Sequence, residues 1–251
     1  MTTDTAAEPS SPFDTARALR LAWRSLAARA PTVIGVMLAV VVGPEIAAFS
    51  AIYLADGEGG SYQIASTVVG LTGGCLATAT ITYLLLVELA GERVTWLDSL
   101  RVGGRAFLGV TGVSVIVAIG TMLGIVLLVV PGLFVLVCCF VAIPYRVANG
   151  PGVMDAIKFS TALTKGSRWR LFGLFLINLL IHGALAGVAW GLQTAAGSVA
   201  GETALVPVSF VVGPVADGLK NLSTIAITAA AYHELVHRGR DAVTRTANVF
   251  D

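Results

Sequence analysis

The chain has 251 residues, of which 56% are hydrophobic and 12% are charged, and its formal net charge is +1. Average soluble domains carry about 25% charged residues, so this composition excludes a water-soluble globular domain. The small net charge gives no reason to expect a nucleic-acid partner. The apolar residues fall in runs of about 20, the length that a helix needs to cross about 30 Å of hydrocarbon. The sequence therefore predicts an all-α fold, a polytopic transmembrane helical bundle.

Two segments of different character precede the first apolar run. Residues 1–12 are polar, contain two prolines and are typical of a disordered tail. Residues 13–30 have an amphipathic pattern, which predicts a helix lying at the membrane interface. One face of this helix carries Phe13, Ala16, Leu19, Trp23, Leu26 and Ala30, and beside it lie Arg17, Arg20 and Arg24. Tryptophan and arginine side chains suit the boundary formed by lipid headgroups.

Residues 31–238 are expected to form a membrane domain of about six helices, because lipid leaves backbone polar groups no other partner. The predicted spans are residues 32–54, 64–88, 106–130, 133–148, 170–192 and 205–233. The fourth span is short, follows the turn-forming pair Pro131-Gly132 and contains Pro144. We therefore expect spans three and four to form a hairpin whose return arm barely crosses the membrane. A re-entrant fourth element is the alternative.

The distribution of basic residues sets the orientation of the bundle. They lie before span one, between spans two and three, between spans four and five, and after span six, except for Lys220, which lies inside span six. The opposite loops, about residues 55–63 and 193–204, contain acidic residues but no Lys or Arg. By the positive-inside rule both termini lie in the cytoplasm, so residues 239–251 are expected to be a cytoplasmic tail. This arrangement predicts a multi-pass protein of a bacterial inner membrane.

A second amphipathic segment, residues 152–166, separates spans four and five. One face carries Val153, Ala156, Ile157, Ser160 and Leu163, while Asp155, Lys158 and Lys165 lie on the other face. Arg168, Trp169 and Arg170 follow at the start of span five. Two interpretations are open, a solvated charged cap on the bundle and a surface that attracts anionic lipid. The expected partners are accordingly membrane lipids, with a membrane protein as a further candidate.

Small residues recur at four-residue spacing within three of the predicted spans. The rows are Ser66, Gly70 and Gly74 in span two, Gly120 and Gly124 in span three, and Gly183, Gly187 and Gly191 in span five. Such rows let helix backbones approach closely inside a membrane. We expect the rows to pack within the bundle, and a contact between two copies of the chain is the alternative.

Four ionisable residues are predicted at one depth in the membrane. At about 1.5 Å per residue from the cytoplasmic ends, Glu45, His182, Asp217 and Lys220 all lie about 18–24 Å deep. Asp217 and Lys220 are three residues apart, so their side chains can pair. The functional interpretation is a polar cavity or proton relay, with Glu45 and His182 protonatable and Lys220 a fixed charge. The alternative is a neutralised network that only holds helices together.

The remaining reactive side chains do not form a catalytic or metal-binding motif. Cys75, Cys138 and Cys139 lie inside apolar runs, and the pair His233 and His237 lacks an evident third ligand. Neither a Walker loop, a nucleophile elbow nor a Rossmann fingerprint occurs in a strand and helix setting. The sequence therefore predicts no enzyme activity, no cofactor and no metal site.

The later part of the chain resembles a known membrane family in two stretches, VVPGLFVLVCCFVAIPYRVANGPGVMDAIKFSTALTKGSRWRLFGLFLI and TIAITAAAYHELVHRGRD. Their features are the Pro-Gly pair, a short helix ending near Pro144, an amphipathic helix closing at Lys165-Gly166, and an aromatic exit at Tyr232. They resemble the glycerophosphoryl diester phosphodiesterase membrane-domain family. The His233-Glu234 pair departs from the Tyr-Asp ending associated with that family.

The resemblance implies a six-helix bundle without an activity, because in the named phosphodiesterases the module accompanies a separate catalytic domain. Our leading hypothesis is a non-enzymatic membrane module that organises lipid or partner proteins at the cytoplasmic membrane. The alternative is a small-molecule or proton-coupled transporter that uses the intramembrane polar layer.

Overall fold

A computed structural model describes residues 13–47, 50, 59–200 and 202–250 of the chain. These residues form helices and short turns, with no strand among them, so the predicted all-α helical bundle is confirmed. The expected disordered tail, residues 1–12, lies outside the described residues. The backbone of the expected cytoplasmic tail is helical up to Phe250 and continues the last helix.

The helices are α1 (Thr15–Ala28), α2 (Ala30–Met37), α3 (Gly59–Leu89), α4 (Trp96–Leu127), α5 (Val129–Cys138), α6 (Ala142–Asn149), α7 (Val153–Leu163), α8 (Arg168–Ala200) and α9 (Glu202–Phe250). Helix α2 continues through a π-helical segment, Leu38–Val42, and helical residues 43–47. The core lies where α1, α2, α3, α8 and α9 meet.

Five stretches of the described chain are long and apolar enough to cross a membrane, which makes this a membrane-embedded helical protein. They are Ala30–Ala47, Thr67–Leu89, Trp96–Leu127, Val129–Asn149 and Arg168–Ser198. The predicted sixth span, residues 205–233, is helical within α9 but is not one of these five. It carries Asp217 and Lys220, and part of its apolar surface falls outside the described side chains. A bundle of six spans with both termini in the cytoplasm therefore stays a prediction.

The two amphipathic segments are both helices, but only one buries the predicted face. In α7, Ala156 and Ser160 are fully buried, and the Ser160 hydroxyl donates a hydrogen bond of 2.8 Å to the Cys138 carbonyl. In α1, the buried face is formed by the small residues Ala18, Ala22 and Ser25. Trp23 is 53% exposed and lies away from this buried face, so its predicted place at the lipid headgroup boundary stays a prediction. Small side chains let α1 lie close to α9, which the size of Trp23 does not allow.

Helices α4 and α5 form the predicted hairpin, but the turn is not at Pro131-Gly132. The chain reverses at Leu128, an extended residue between α4 and α5. Pro131 and Gly132 belong to the first turn of α5, where proline removes no helical hydrogen bond. A Cβ atom added at Gly124 would lie 2.6 Å from the Gly132 Cα, so the two arms touch through their backbones.

The predicted fourth span is interrupted where the sequence suggested a single short helix. Helix α5 ends at Cys138, and α6 begins at Ala142 with Pro144 in its first turn. Its C-terminus is capped by Gly150, whose positive φ of 67° favours glycine. Pro144 thus starts a second helix instead of ending the first one.

The predicted rows of small residues differ in what they contact. In the second span a Cβ atom at Gly70 would lie 2.7 Å from Glu45 Oε1, but one at Gly74 would meet no described atom within 4 Å. The backbone approach to the Val40 carbonyl is instead at Gly73, which is outside the predicted row. By contrast, a Cβ atom at Gly183, Gly187 or Gly191 would meet no described atom within 4 Å. Internal packing of the row in α8 therefore stays a prediction, because the row makes no close contact with the described residues.

Candidate functional site

Basic residues from separate parts of the sequence lie at one end of the bundle. Their contacts join α1 to α3, α8 and α9. The pairs are Arg17 with Glu234 at 3.4 Å, Arg29 with Glu88 at 2.5 Å, the Arg170 guanidinium with the Phe13 carbonyl at 2.6 Å, and Arg238 with the Ser167 hydroxyl at 3.0 Å. We call this region the basic end.

The residues predicted to contact lipid divide into two groups at the basic end. Arg17 and Arg170 are held by the contacts just described and tie helices together. Arg168 is partly buried, and the other six are exposed: Arg20, Trp23, Arg24, Lys158, Lys165 and Trp169. Arg20 has only a 4.0 Å contact with Asp14, and Trp169 is 86% exposed. This exposed group is free to meet a membrane surface.

Arg168 and Trp169 line a groove between α5 and the start of α8. The groove has a volume of about 380 Å³, and Arg168 is its sole charged lining residue among the described ones. The other lining residues are apolar: Val130, Leu133, Phe134, Val137 and Phe172. The Arg168 guanidinium lies 4.8 Å from the centre of the Phe134 ring, and its Nη2 lies 3.5 Å from the Thr161 carbonyl. We call this feature the Arg168 groove.

Two of the seven groove residues, Arg168 and Trp169, are predicted from the sequence. Phe172 is three residues after Trp169, and the two rings meet edge to face at 6.1 Å, so this spacing is a usable signal. Phe134 lies in the preceding helix, and no sequence pattern connects it with Arg168. Only the packing of α5 against α8 brings the ring under the guanidinium.

The four ionisable residues of the predicted polar layer occupy two separate places. Lys220 pairs with Asp217 at 2.6 Å, as their spacing predicts. His182 Nε2 instead lies 3.0 Å from the backbone carbonyl of Lys220 and 3.1 Å from the Thr224 hydroxyl. A carbonyl can only accept, so this contact requires the proton on Nε2. His182 therefore bonds to the backbone of α9, and not to a charged side chain.

Residues outside the predicted layer complete the polar contacts between α8 and α9. The Asn178 amide donates to Thr224 at 3.0 Å, and its carbonyl oxygen lies 3.0 Å from the Ser223 hydroxyl. We call Asn178, His182, Ser223, Thr224 and the Lys220 carbonyl the α8–α9 network. Asn178 and Ser223 are buried. The four-residue spacings of Asn178 with His182 and of Lys220 with Thr224 could have indicated it from the sequence.

Glu45 and Asp217 line an open cleft between α2, α3 and α9. Its volume is about 490 Å³, and Thr67 and Asn221 supply two further polar side chains. Much of the remaining lining is glycine: Gly70, Gly74, Gly213 and Gly218. The Asp217 side chain is 72% exposed, whereas His182 does not line this space. We call it the Glu45 cleft. Its carboxylates could hold a cation or a proton, whereas the groups of the α8–α9 network satisfy one another.

No group of three His, Cys, Asp or Glu side chains in the described part of the chain is placed to hold a metal ion. His233 and His237 lie on one face of α9 with ring centroids 4.2 Å apart. No protein-family model, no curated protein and no solved structure matches the chain. The resemblance to the phosphodiesterase membrane domain therefore stays a prediction, and function has to be argued from the geometry.

Proposed function

We propose that the protein is a non-enzymatic membrane module that holds anionic phospholipid at the cytoplasmic face of a bacterial inner membrane. The Arg168 groove is the observation that carries this proposal. A phospholipid has a negatively charged phosphate next to apolar chains, and the groove offers one guanidinium above an apolar wall. No carboxylate among the described residues pairs with Arg168, so its positive charge is available to attract a phosphate group.

The exposed cations around the groove support the same assignment. Arg20, Arg24, Lys158 and Lys165 project from α1 and from the α7 region, at the end of the bundle where the basic residues gather. Each basic residue close to an anionic membrane surface contributes about 1 kcal/mol of attraction. That attraction is screened by salt over about 8–10 Å. The exposed cations would enrich anionic lipid near the protein, and the groove would hold one molecule of it.

Native mass spectrometry of the full-length protein in detergent, with added phosphatidylglycerol or phosphatidylcholine, tests this function. We expect Arg168→Gln to lower retention of phosphatidylglycerol about tenfold, equivalent to about 1.4 kcal/mol. Retention of phosphatidylcholine should change little, because Arg168 is expected to bind the negative headgroup. Arg101→Gln is the matched control, since Arg101 is exposed and already pairs with Asp98 at 3.3 Å. Equal retention by the wild type and Arg168→Gln would contradict the proposal.

A second candidate function, a small-molecule or proton-coupled transporter, is favoured by the Glu45 cleft. A transporter needs water to reach its ionisable groups, and two carboxylates line this open space. Thiol labelling can test access after Cys75, Cys138 and Cys139 have been replaced by Ala. We expect Asp217→Cys to react with a water-soluble maleimide, because this position is exposed in the cleft.

Ser223→Cys is the control for that labelling, because Ser223 is on the same helix but buried in the α8–α9 network. It should stay unreactive in the folded protein. If Asp217→Cys reacts with the maleimide as slowly as Ser223→Cys, lipid or protein closes the cleft and the transporter candidate fails. Labelling at both positions would instead indicate that α8 and α9 separate.

A further inference from the structure

Arg146 is a basic residue that the structure leaves without a partner. It lies near the end of α6 and is half-buried. Its Nε atom is buried, and no hydrogen bond or ion pair joins the guanidinium to the described residues. Arginines elsewhere at the basic end, such as Arg17 and Arg29, have carboxylate partners. A half-buried guanidinium without a counter-charge is costly, so a missing ligand is a physical explanation.

The Arg146 guanidinium packs directly against Gly109 of α4, and we call this position the seat. A Cβ atom at Gly109 would overlap Nε, Nη2 and the central carbon of the Arg146 side chain. Any larger residue at position 109 would therefore displace the guanidinium. One turn further along α4, Gly112 lies against the Val153 side chain, so α7 closes this edge of the seat. Contacts among three helices, α4, α6 and α7, thus fix the position of the Arg146 side chain.

A second cation and an apolar surface lie on the same side of α4. Arg105 is four residues before Gly109, is exposed, and has no ion pair within the described chain. Leu108, Ile116 and Ile119 follow this side at helical spacing and are exposed, Leu108 to 79%. Two positive charges beside an exposed apolar strip suit a phosphate that carries acyl chains better than a soluble phosphate.

We propose that Arg146, seated on Gly109, and Arg105 form a second site for the phosphate of an anionic phospholipid. Arginine binds phosphate through its N–H donors, and no carboxylate among the described residues neutralises the half-buried Arg146 guanidinium. The acyl chains would lie along Leu108 and Ile116. This inference rests on the proposed function, since it adds a defined lipid site to a module that holds anionic lipid.

The test counts the phosphatidylglycerol molecules that survive mild activation in native mass spectrometry of the full-length protein. We expect two on the wild type, one on Arg146→Gln, one on Arg168→Gln and none on the double variant. Gly109→Ala should also retain one, because it keeps both arginines but fills the seat. Arg101→Gln should retain two. Circular dichroism and the elution volume in detergent verify that each variant is folded.

Several results would overturn the second site. Two lipids on Arg146→Gln, or two on Gly109→Ala, would show that the seated guanidinium holds none. Displacement of the second lipid by an equal concentration of soluble glycerol phosphate would show that the apolar strip plays no part. If Arg168→Gln keeps two lipids while Arg146→Gln and Gly109→Ala keep one, the second site stands and the role of the Arg168 groove fails.

Discussion

The α8–α9 network and the Glu45 cleft both contain residues of the predicted polar layer, yet one is closed and the other is open. Helix α9 contributes to both, with Asp217 turned to the cleft and Ser223 to the network. In the network, amide, hydroxyl, imidazole and carbonyl groups bond to one another. In the cleft, glycines replace the side chains that would fill the space. The helix that faces a polar residue of α9 therefore decides whether that residue is closed in or open.

The largest effect that separates the two regions is expected for Asn178→Leu. This substitution removes two hydrogen bonds between α8 and α9, each worth about 0.5–1.5 kcal/mol, while both hydroxyls keep the Lys220 carbonyl as a partner. The melting temperature of the purified protein in detergent should fall clearly. Hydrogen exchange should also increase in α8 and α9, since Asn178 joins these two helices.

Asn221→Leu is the matched control for that loss of stability. Asn221 is on the same helix as Ser223, lines the open cleft, and has one long contact of 3.4 Å with the Thr78 hydroxyl. We expect the melting temperature of Asn221→Leu to stay close to that of the wild type. If the two leucine variants lose the same stability, the distinction between a closed network and an open cleft is wrong.

A smaller effect is expected for Lys220→Met. The network uses the backbone carbonyl of Lys220, which methionine retains, so His182 and Thr224 keep their acceptor. The ion pair with the exposed carboxylate of Asp217 is worth at most about 1 kcal/mol. The melting temperature of Lys220→Met should therefore fall less than that of Asn178→Leu.

Asp217→Asn should have the smallest effect on stability, because this side chain is 72% exposed and lies outside the α8–α9 network. Combining it with Lys220→Met should cost no more than Lys220→Met alone, since both substitutions remove the same pair. A melting temperature for Lys220→Met as low as that for Asn178→Leu would mean that the lysine charge holds the bundle together. The α8–α9 network would then not be the main polar contact.

Several parts of the fold follow from local pattern. The face of α7 is predicted correctly because its small and apolar residues recur at helical spacing, with the charged residues opposite. The start of α1 is also local, since the Asp14 carboxylate accepts hydrogen bonds from the Ala16 and Arg17 amides. The buried face of α1 is not set by a local pattern. It consists of Ala18, Ala22 and Ser25 because small side chains let α1 pack close to α9.

The sequence by itself determined the helical, membrane-embedded class of this protein, because long apolar runs in lipid leave the backbone only intrahelical hydrogen bonds. It also determined the candidate residues Arg168, Trp169, Glu45 and Asp217, since charged and aromatic side chains stand out against an apolar background. Only the tertiary structure decided their neighbours. It divides the polar layer, places Phe134 under Arg168, and seats Arg146 on Gly109. These contacts join residues far apart in the chain, and helix packing fixes them through shapes that no local spacing records.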